Sequence, residues 1–140
     1  MLRSEARPDT LRRVPLFAGL DRHDLAEVAR VSRDVEVTEG DELIHENEPG
    51  KQFFVLLEGE ASVRRAGAEI NRLGPGDFFG EISLLSDRPT TASVTASAPS
   101  HLVVIAPADF RQLLEEMPLL QWKVIEALAA RLPDEFYWQG

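Results

Sequence analysis

The chain has 140 residues and a net charge of −9, and 44% of its residues are hydrophobic and 28% are charged. This length and balance predict one globular domain with a core of its own, and the acidity argues against nucleic acid or a membrane surface as a partner. The absence of cysteine excludes a disulfide scaffold and a thiol nucleophile. With neither a signal peptide nor a ~20-residue apolar run, the expected compartment is the cytoplasm.

The first third of the chain predicts helical structure. Residues 1–10 are polar and are expected to fray. Leu11–Val14 predicts a single helical turn. Asp21 is a favourable N-cap, and the apolar spacing after it predicts a helix over about 22–32. We therefore interpret residues 1–33 as an N-terminal helical segment.

Residues 34–106 have the pattern of a β domain. Short alternating or apolar runs, such as Phe53–Leu57 and Leu102–Ile105, are separated by turns rich in glycine and proline. Strands of this length and spacing favour a sandwich or a barrel. The chain is therefore predicted to be mainly β with flanking helices.

The stretch Gly74–Ser97 contains three different patterns. A Pro/Gly turn comes first, and the apolar segment Glu81–Leu85 after it predicts one or two helical turns. Thr91–Ser97 then alternates strictly, which predicts a half-buried strand. A helix inside a β region is not what composition alone predicts.

Two residues in this stretch suggest a binding site. Gly80 allows the backbone to approach a ligand closely, and the N–H groups at the start of the following helix favour an anion. Glu81 adds one carboxylate beside them. This combination suits a sugar phosphate, with N–H groups for the phosphate and a carboxylate for ribose hydroxyls. Glu81 could equally be a helix-capping acid that needs no ligand.

Residues 107–140 predict two amphipathic helices and a tail. Apolar residues at helical spacing form a first stripe: Phe110, Leu113, Leu114 and Met117. A second stripe follows Pro118 and ends before Pro133: Leu120, Val124, Ile125, Leu128, Ala129 and Leu132. The second stripe could serve a homodimer. The aromatic tail Phe136–Trp138 could cover a purine, dock on the β domain or bind a partner.

The residues Phe79–Leu85, followed after a short loop by Pro89 and by Ala92–Val94, resemble the phosphate-binding cassette of cyclic nucleotide-binding domains. This family includes regulatory subunits of cAMP-dependent protein kinase, the bacterial catabolite activator and cyclic-nucleotide-gated channels. The resemblance implies an eight-stranded jelly-roll β-barrel over 34–106, with the cassette at 79–94. It also implies two C-terminal helices that move when ligand binds.

The resemblance further implies a set of ligand-binding residues. Gly80, Glu81, Ile82 and Ser83 would hold the ribose and the phosphate, and Thr91 would add a backbone and a hydroxyl contact.

The chain departs from the family pattern at Thr90. Kinase-like and channel-like members have at this position an arginine that pairs with the cyclic phosphate, and Thr90 takes its place here. Losing one partner of a buried charged hydrogen-bond pair costs about 2–5 kcal/mol. Arg88 lies two residues early and is a candidate substitute.

The sequence offers little for catalysis or metal binding. The three histidines, His23, His45 and His101, are isolated from one another. Ser83, Ser86 and Ser93 have no histidine near them in the sequence. We expect no enzyme activity, no metal and no resident cofactor. The pair Arg64 and Arg65 is interpreted as the solvated face of a turn.

We interpret the chain as a stand-alone regulatory or sensor domain that binds a cyclic nucleotide, cAMP or cGMP, and acts on an unidentified regulated protein. The alternative is a degenerate domain of the same fold that has lost the nucleotide and serves as a protein interaction module. Thr90 favours the alternative, and the intact cassette from Phe79 to Leu85 favours nucleotide binding.

Overall fold

The structure is a computed structural model, which describes residues 3–130. Over those residues it contains nine strands: β1 (Arg3–Glu5), β2 (Ser32–Val37), β3 (Glu42–Ile44), β4 (Phe53–Glu58), β5 (Ala61–Arg65), β6 (Ala68–Leu73), β7 (Phe78–Phe79), β8 (Ser93–Ala96) and β9 (Ser100–Ile105). The same residues form five helices: α1 (Pro8–Arg12), α2 (Arg22–Val31), α3 (Glu81–Ser86), α4 (Pro107–Glu116) and α5 (Pro118–Ala130).

The strands form two antiparallel sheets that pack face to face. One sheet has the order β1-β2-β9-β4-β7 and the other has the order β3-β8-β5-β6. A cluster of buried apolar side chains from both sheets fills the space between them, including Phe54, Leu102 and Val94. The prediction of a mainly β chain with flanking helices is confirmed. The strand pairing describes two sheets, so a closed eight-stranded barrel is not confirmed.

Strand β4 is buried on both faces because it separates two cores. Phe54 and Leu56 face the cluster between the sheets. Phe53 and Val55 face a second cluster, formed with the helices on the outer side of the five-stranded sheet. This explains why β4 is a continuous apolar run rather than an alternating one.

The N-terminus differs from the prediction of a frayed segment. Strand β1 pairs with β2, with Ser4 opposite Asp34, and α1 follows at Pro8–Arg12. Backbone pairing on the otherwise open edge of β2 gives this polar stretch its order, which side-chain pattern alone does not predict. The predicted second helix is confirmed as α2, and Asp21 caps it by accepting a hydrogen bond of 2.8 Å from the Asp24 N–H.

The C-terminal helices follow the predicted stripes only in part. The first helix, α4, ends at Glu116, and Pro118 is the first residue of α5, because proline fits the first turn of a helix. Leu120 and Val124 are buried in the chain's own core, whereas Ile125 is half exposed. The predicted second stripe is therefore divided between two faces. Its last residue, Leu132, and the tail Phe136–Trp138 lie outside the described residues.

Candidate functional site

The site begins at a glycine that the backbone requires. Gly80 links β7 to α3 with φ +93°, in the left-handed region that favours glycine. A Cβ at this position would lie 2.6 Å from the Gln52 carbonyl oxygen. Gly80 thus allows β7 to turn directly into α3. It also allows the backbone at the turn to lie close to Gln52, the residue before β4.

A cavity of about 490 Å³ opens next to this turn, between the cassette and strands β5 and β6. The described residues that line it are Ile44, Val63, Arg65, Ile70, Asn71, Leu73, Phe78, Phe79, Gly80, Glu81, Ser83, Pro89, Thr90, Thr91, Ala92, Val94 and Ala130. Five of the six predicted site residues are therefore brought together here. The sixth, Ile82, belongs to α3 and lies between two of them in the chain.

Glu81 is the buried acid of the cavity. It is the first residue of α3 and only 1% exposed. A carboxylate at this position is favoured by the N-terminal end of the helix. A buried carboxylate also requires hydrogen-bond donors, and ribose hydroxyls are donors of the appropriate kind. The geometry thus accommodates both the ligand-binding and the capping interpretation of Glu81.

Thr90 is buried and its hydroxyl is already engaged. The hydroxyl donates to the His45 carbonyl at 2.6 Å and accepts from the Glu48 N–H at 3.3 Å. The Thr90 N–H donates to the Glu48 carbonyl, and its own carbonyl accepts from the Asn47 N–H. In this arrangement Thr90 holds the turn at residues 45–48 against the cassette.

The serines of the cassette also make structural hydrogen bonds. Ser83 Oγ donates to the Arg88 carbonyl at 2.5 Å, which closes the loop after α3. Ser93 Oγ accepts from the Glu46 N–H at 2.9 Å, which adds a second attachment for the 45–48 turn. The cassette is thus held in shape by its own polar side chains.

Two arginines of the sequence analysis lie near the cassette. Arg65 is exposed, as expected for a solvated turn face, but it also lines the cavity and donates from Nε to the Thr91 carbonyl at 3.0 Å. Arg88 is exposed and is not among the described residues that line the cavity. Sequence reasoning missed Arg65 because β5 lies 26 residues before Thr91, and only strand pairing brings the two together.

A smaller cavity of about 240 Å³ lies on the other side of Thr90 and Gly80. His45 lines it, and its Nδ1–H donates a hydrogen bond of 2.8 Å to Glu42 Oε1, which raises the pKa of His45 above its ordinary value. Both side chains are about half exposed, so this pair lies at the surface.

Two findings concern metal binding and membrane spanning. Over residues 3–130, no group of three or more histidine, cysteine, aspartate or glutamate side chains could hold a metal ion. In the same range, no helix combines the length and the apolar character needed to cross a membrane.

The chain belongs to the cyclic nucleotide-binding domain family, because the model of that family matches residues 34–117, more than half of the chain. The chain is also similar to the cAMP-dependent protein kinase regulatory subunit of Hypocrea atroviridis. The two are 32% identical over 104 residues, which are 74% of this chain and 22% of that protein. The chain thus spans about a fifth of the length of this relative.

Solved structures resemble the chain over most of its length. The catabolite activator protein of Thermus thermophilus has a TM-score of 0.74 at 26% identity, covering 84% of this chain and 57% of that one. The regulatory subunit of a cAMP-independent protein kinase A from Trypanosoma brucei has a TM-score of 0.78 at 23% identity, covering 94% and 47%. The second likeness shows the fold alone. Since that subunit belongs to a cAMP-independent kinase, the fold by itself does not decide the ligand.

Proposed function

We propose that this chain is a regulatory or sensor domain that binds a cyclic nucleotide, cAMP or cGMP, in the 490 Å³ cavity. The observation that carries the proposal is the convergence of Gly80, buried Glu81 and the cassette loop on one cavity. The volume falls within the range of small-molecule sites, about 300–1,000 Å³. The similarity of the chain to a cAMP-dependent protein kinase regulatory subunit supports the same proposal.

Each part of a cyclic nucleotide has a matching part of the cavity. Glu81 would accept hydrogen bonds from the ribose, and the backbone at Gly80, Ile82 and Ser83 would approach the phosphate. The base would lie against apolar side chains from three strands: Ile44, Val63, Ile70 and Leu73. Thr91, which is exposed at the rim, would add a hydroxyl contact.

The contacts of α4 and α5 support a link between ligand and helices. Ala130, at the end of α5, lines the cavity, and Arg111 on α4 donates to the Leu84 carbonyl of α3. A ligand that binds better to one arrangement of these helices shifts the population toward it. We infer that this shift is the regulatory output.

The output requires a second protein. The exposed face of α5, with Leu119, Trp122 and Ile125, is the surface we assign to a regulated protein or to a second copy of the chain. Sizing chromatography with light scattering over a range of protein concentrations tests the homodimer. A mass that remains that of one chain at every concentration would exclude it.

The proposal has further parts that follow from family membership. The eight strands β2–β9 divide four and four between the sheets, which supports the eight-stranded jelly roll with β1 as an added edge strand. We propose a non-catalytic domain without metal or resident cofactor, acting in the cytoplasm without nucleic acid. We divide the chain into an N-terminal segment at 1–33, which contains α1 and α2 and also β1, a β domain at 34–106, and the C-terminal helices and tail at 107–140.

A second candidate function is supported by Thr90. Its hydroxyl is occupied by His45 and Glu48, so it offers the phosphate less than an arginine would. A domain that kept the fold for its stability and lost the nucleotide would show this arrangement. Such a domain would act only as a protein interaction module.

Titration calorimetry of cAMP and cGMP at millimolar ligand distinguishes the two functions. Saturable heat with the native protein, lost in the Glu81→Gln variant, is the result we expect. Glutamine retains the size of the side chain and removes its charge. Absence of heat from the native protein, together with binding by Thr90→Arg, would instead support the interaction module.

A further inference from the structure

The cavity contains one cation whose function the cassette does not explain. Of the described side chains that line it, Arg65 and Glu81 are the charged ones. Arg65 lies at the end of β5, where the hairpin to β6 begins. In the family pattern the arginine stands within the cassette, at the position of Thr90. Arg65 instead carries its positive charge on strand β5.

The Arg65 guanidinium is held in place and only partly used. Nε donates to the Thr91 carbonyl at 3.0 Å, directly beside the position where the family has its arginine. Within residues 3–130, Arg65 forms no ion pair with a carboxylate, unlike Arg12, Arg30, Arg72 and Arg111. Its two terminal nitrogens therefore have donors available for a ligand oxygen.

The hairpin that carries Arg65 is fixed to the cassette. The Ala66 N–H donates to Glu46 Oε1 at 3.0 Å, and the Glu46 N–H donates to Ser93 Oγ at 2.9 Å. Together with the Arg65 to Thr91 bond, these contacts join the hairpin to the chain that follows Thr90. The hairpin is thereby attached to the cassette at the edge of the cavity.

The neighbouring cations do not share this placement. Arg64 is exposed, as Arg65 is, but its Nη1 donates to the Gly67 carbonyl within its own turn, and it does not line the cavity. Arg88 is exposed, and Lys51 lines the smaller cavity instead. Among residues 3–130, the larger cavity therefore has Arg65 as its positively charged side chain.

We propose that Arg65 supplies the positive charge for the ligand's phosphate, in place of the arginine missing at Thr90. This inference rests on the proposed function, and it names the ligand class more closely as a nucleotide with an anionic phosphodiester. Guanidinium donors match phosphate oxygens in a paired geometry, and a partly exposed pair gives a weaker, more salt-sensitive contact than a buried one. We expect a cyclic nucleotide to bind with an affinity that salt lowers.

The test is calorimetric titration of cAMP into four versions of the full chain: native, Arg65→Gln, Arg65→Lys and Arg64→Gln. Each is titrated at low and at high salt, about 0.05 M and about 0.5 M NaCl. Arg64→Gln is the matched control because it removes the neighbouring charge outside the cavity. Glu81→Gln reports independently on the ribose contact.

We expect Arg65→Gln to weaken cAMP binding by roughly 10-fold to 100-fold, the range for one lost hydrogen-bonded charge. Its remaining affinity should no longer depend on salt. Arg65→Lys should recover part of the affinity and the salt dependence, and Arg64→Gln should bind like the native protein.

Different results would contradict the role of Arg65 and the proposed function. Native binding that Glu81→Gln abolishes and Arg65→Gln leaves within about twofold would overturn the role of Arg65 while the proposed function stands. Weaker binding by Arg65→Gln that keeps the full salt dependence would reduce Arg65 to a support for the Thr91 loop. An absence of binding by the native protein would refute the proposed function itself.

Discussion

Gly80 is a residue at which both backbone conformation and space require glycine. Its φ of +93° disfavours any other residue, and the Gln52 carbonyl occupies the space where a Cβ would be. We expect Gly80→Ala to lower the free energy of unfolding by about 1–3 kcal/mol, measured by urea denaturation. The cause would be backbone strain together with displacement of α3 from β4.

Two glycine controls separate these causes. Gly67 also has a positive φ, +82°, but open space around it, so Gly67→Ala should show the strain alone. Gly74 has open space and no positive φ, so Gly74→Ala should be close to neutral. If Gly80→Ala proved no more destabilising than Gly67→Ala, the contact with Gln52 would be irrelevant.

The pKa of His45 should lie above the ordinary value for a histidine. The cause is its hydrogen bond to Glu42, which favours the imidazolium and raises the pKa of His45. A raised folded-state pKa contributes stability below the unfolded pKa and loses it as pH rises through the folded value. Both groups are at the surface, so the effect on stability should be small.

The His45 titration is measured by following its ring proton shifts by NMR between pH 5 and pH 9, a range of about two units on either side of neutrality. In Glu42→Gln the pKa of His45 should fall toward the ordinary value. An unchanged His45 titration in the variant would contradict the assignment of Glu42 as the cause.

At the scale of the element, α3 has six residues and depends on its neighbours. A helix this short is unstable alone, because nucleation outweighs the few hydrogen bonds gained. Arg111 of α4 donates from Nε and Nη2 to the Leu84 carbonyl, at 3.2 and 2.9 Å, and from Nη2 to Asp87 at 3.0 Å. The C-terminal end of α3 is thus stabilised from a different part of the chain.

We expect Arg111→Gln to lower stability by about 1–2 kcal/mol and to speed hydrogen exchange of the α3 amides. Asp87→Asn is the matched variant: it removes the ion pair but leaves the bonds to Leu84. Since the Asp87 side chain is 87% exposed, this change should stay within about 0.5 kcal/mol. Equal effects of the two variants would show that the ion pair, rather than the carbonyl contact, holds α3.

At the scale of the whole molecule, the C-terminal helices belong to the outer core. Phe110 of α4 stacks on Phe53 of β4 with ring centroids 4.2 Å apart and an angle of 11° between the rings. Lys123 of α5 donates to the carbonyls of Pro15 and Ala18, in the segment between α1 and α2. The N-terminal and C-terminal helices therefore pack on the same side of the five-stranded sheet.

We expect Phe110→Ala to destabilise the fold by about 3–5 kcal/mol, because it removes a 1% exposed ring between helix and sheet. Trp122→Ala is the control on α5, where the side chain is 60% exposed, and should stay within about 0.5 kcal/mol. Chemical denaturation followed by circular dichroism measures both. A small loss with Phe110→Ala would mean that α4 is only loosely docked.

The sequence by itself determined the family, the mainly β architecture, α2 with its Asp21 cap and the α3 insertion at Glu81. These features depend on local pattern: alternation, helical spacing, capping residues and a glycine with its own steric requirement. The predicted residues Gly80, Glu81, Ser83, Thr90 and Thr91 meet at one cavity because they are close in the chain.

Only the tertiary structure decided which polar groups are available in that cavity. Thr90 is bound to His45 and Glu48, and Arg65 reaches Thr91 across the β5–β8 pair. It likewise placed β1 on the edge of β2 and divided the second C-terminal stripe into buried and exposed faces. The physical reason is that hydrogen bonds and packing between residues 26 to 45 positions apart follow from strand register, which local sequence pattern does not specify.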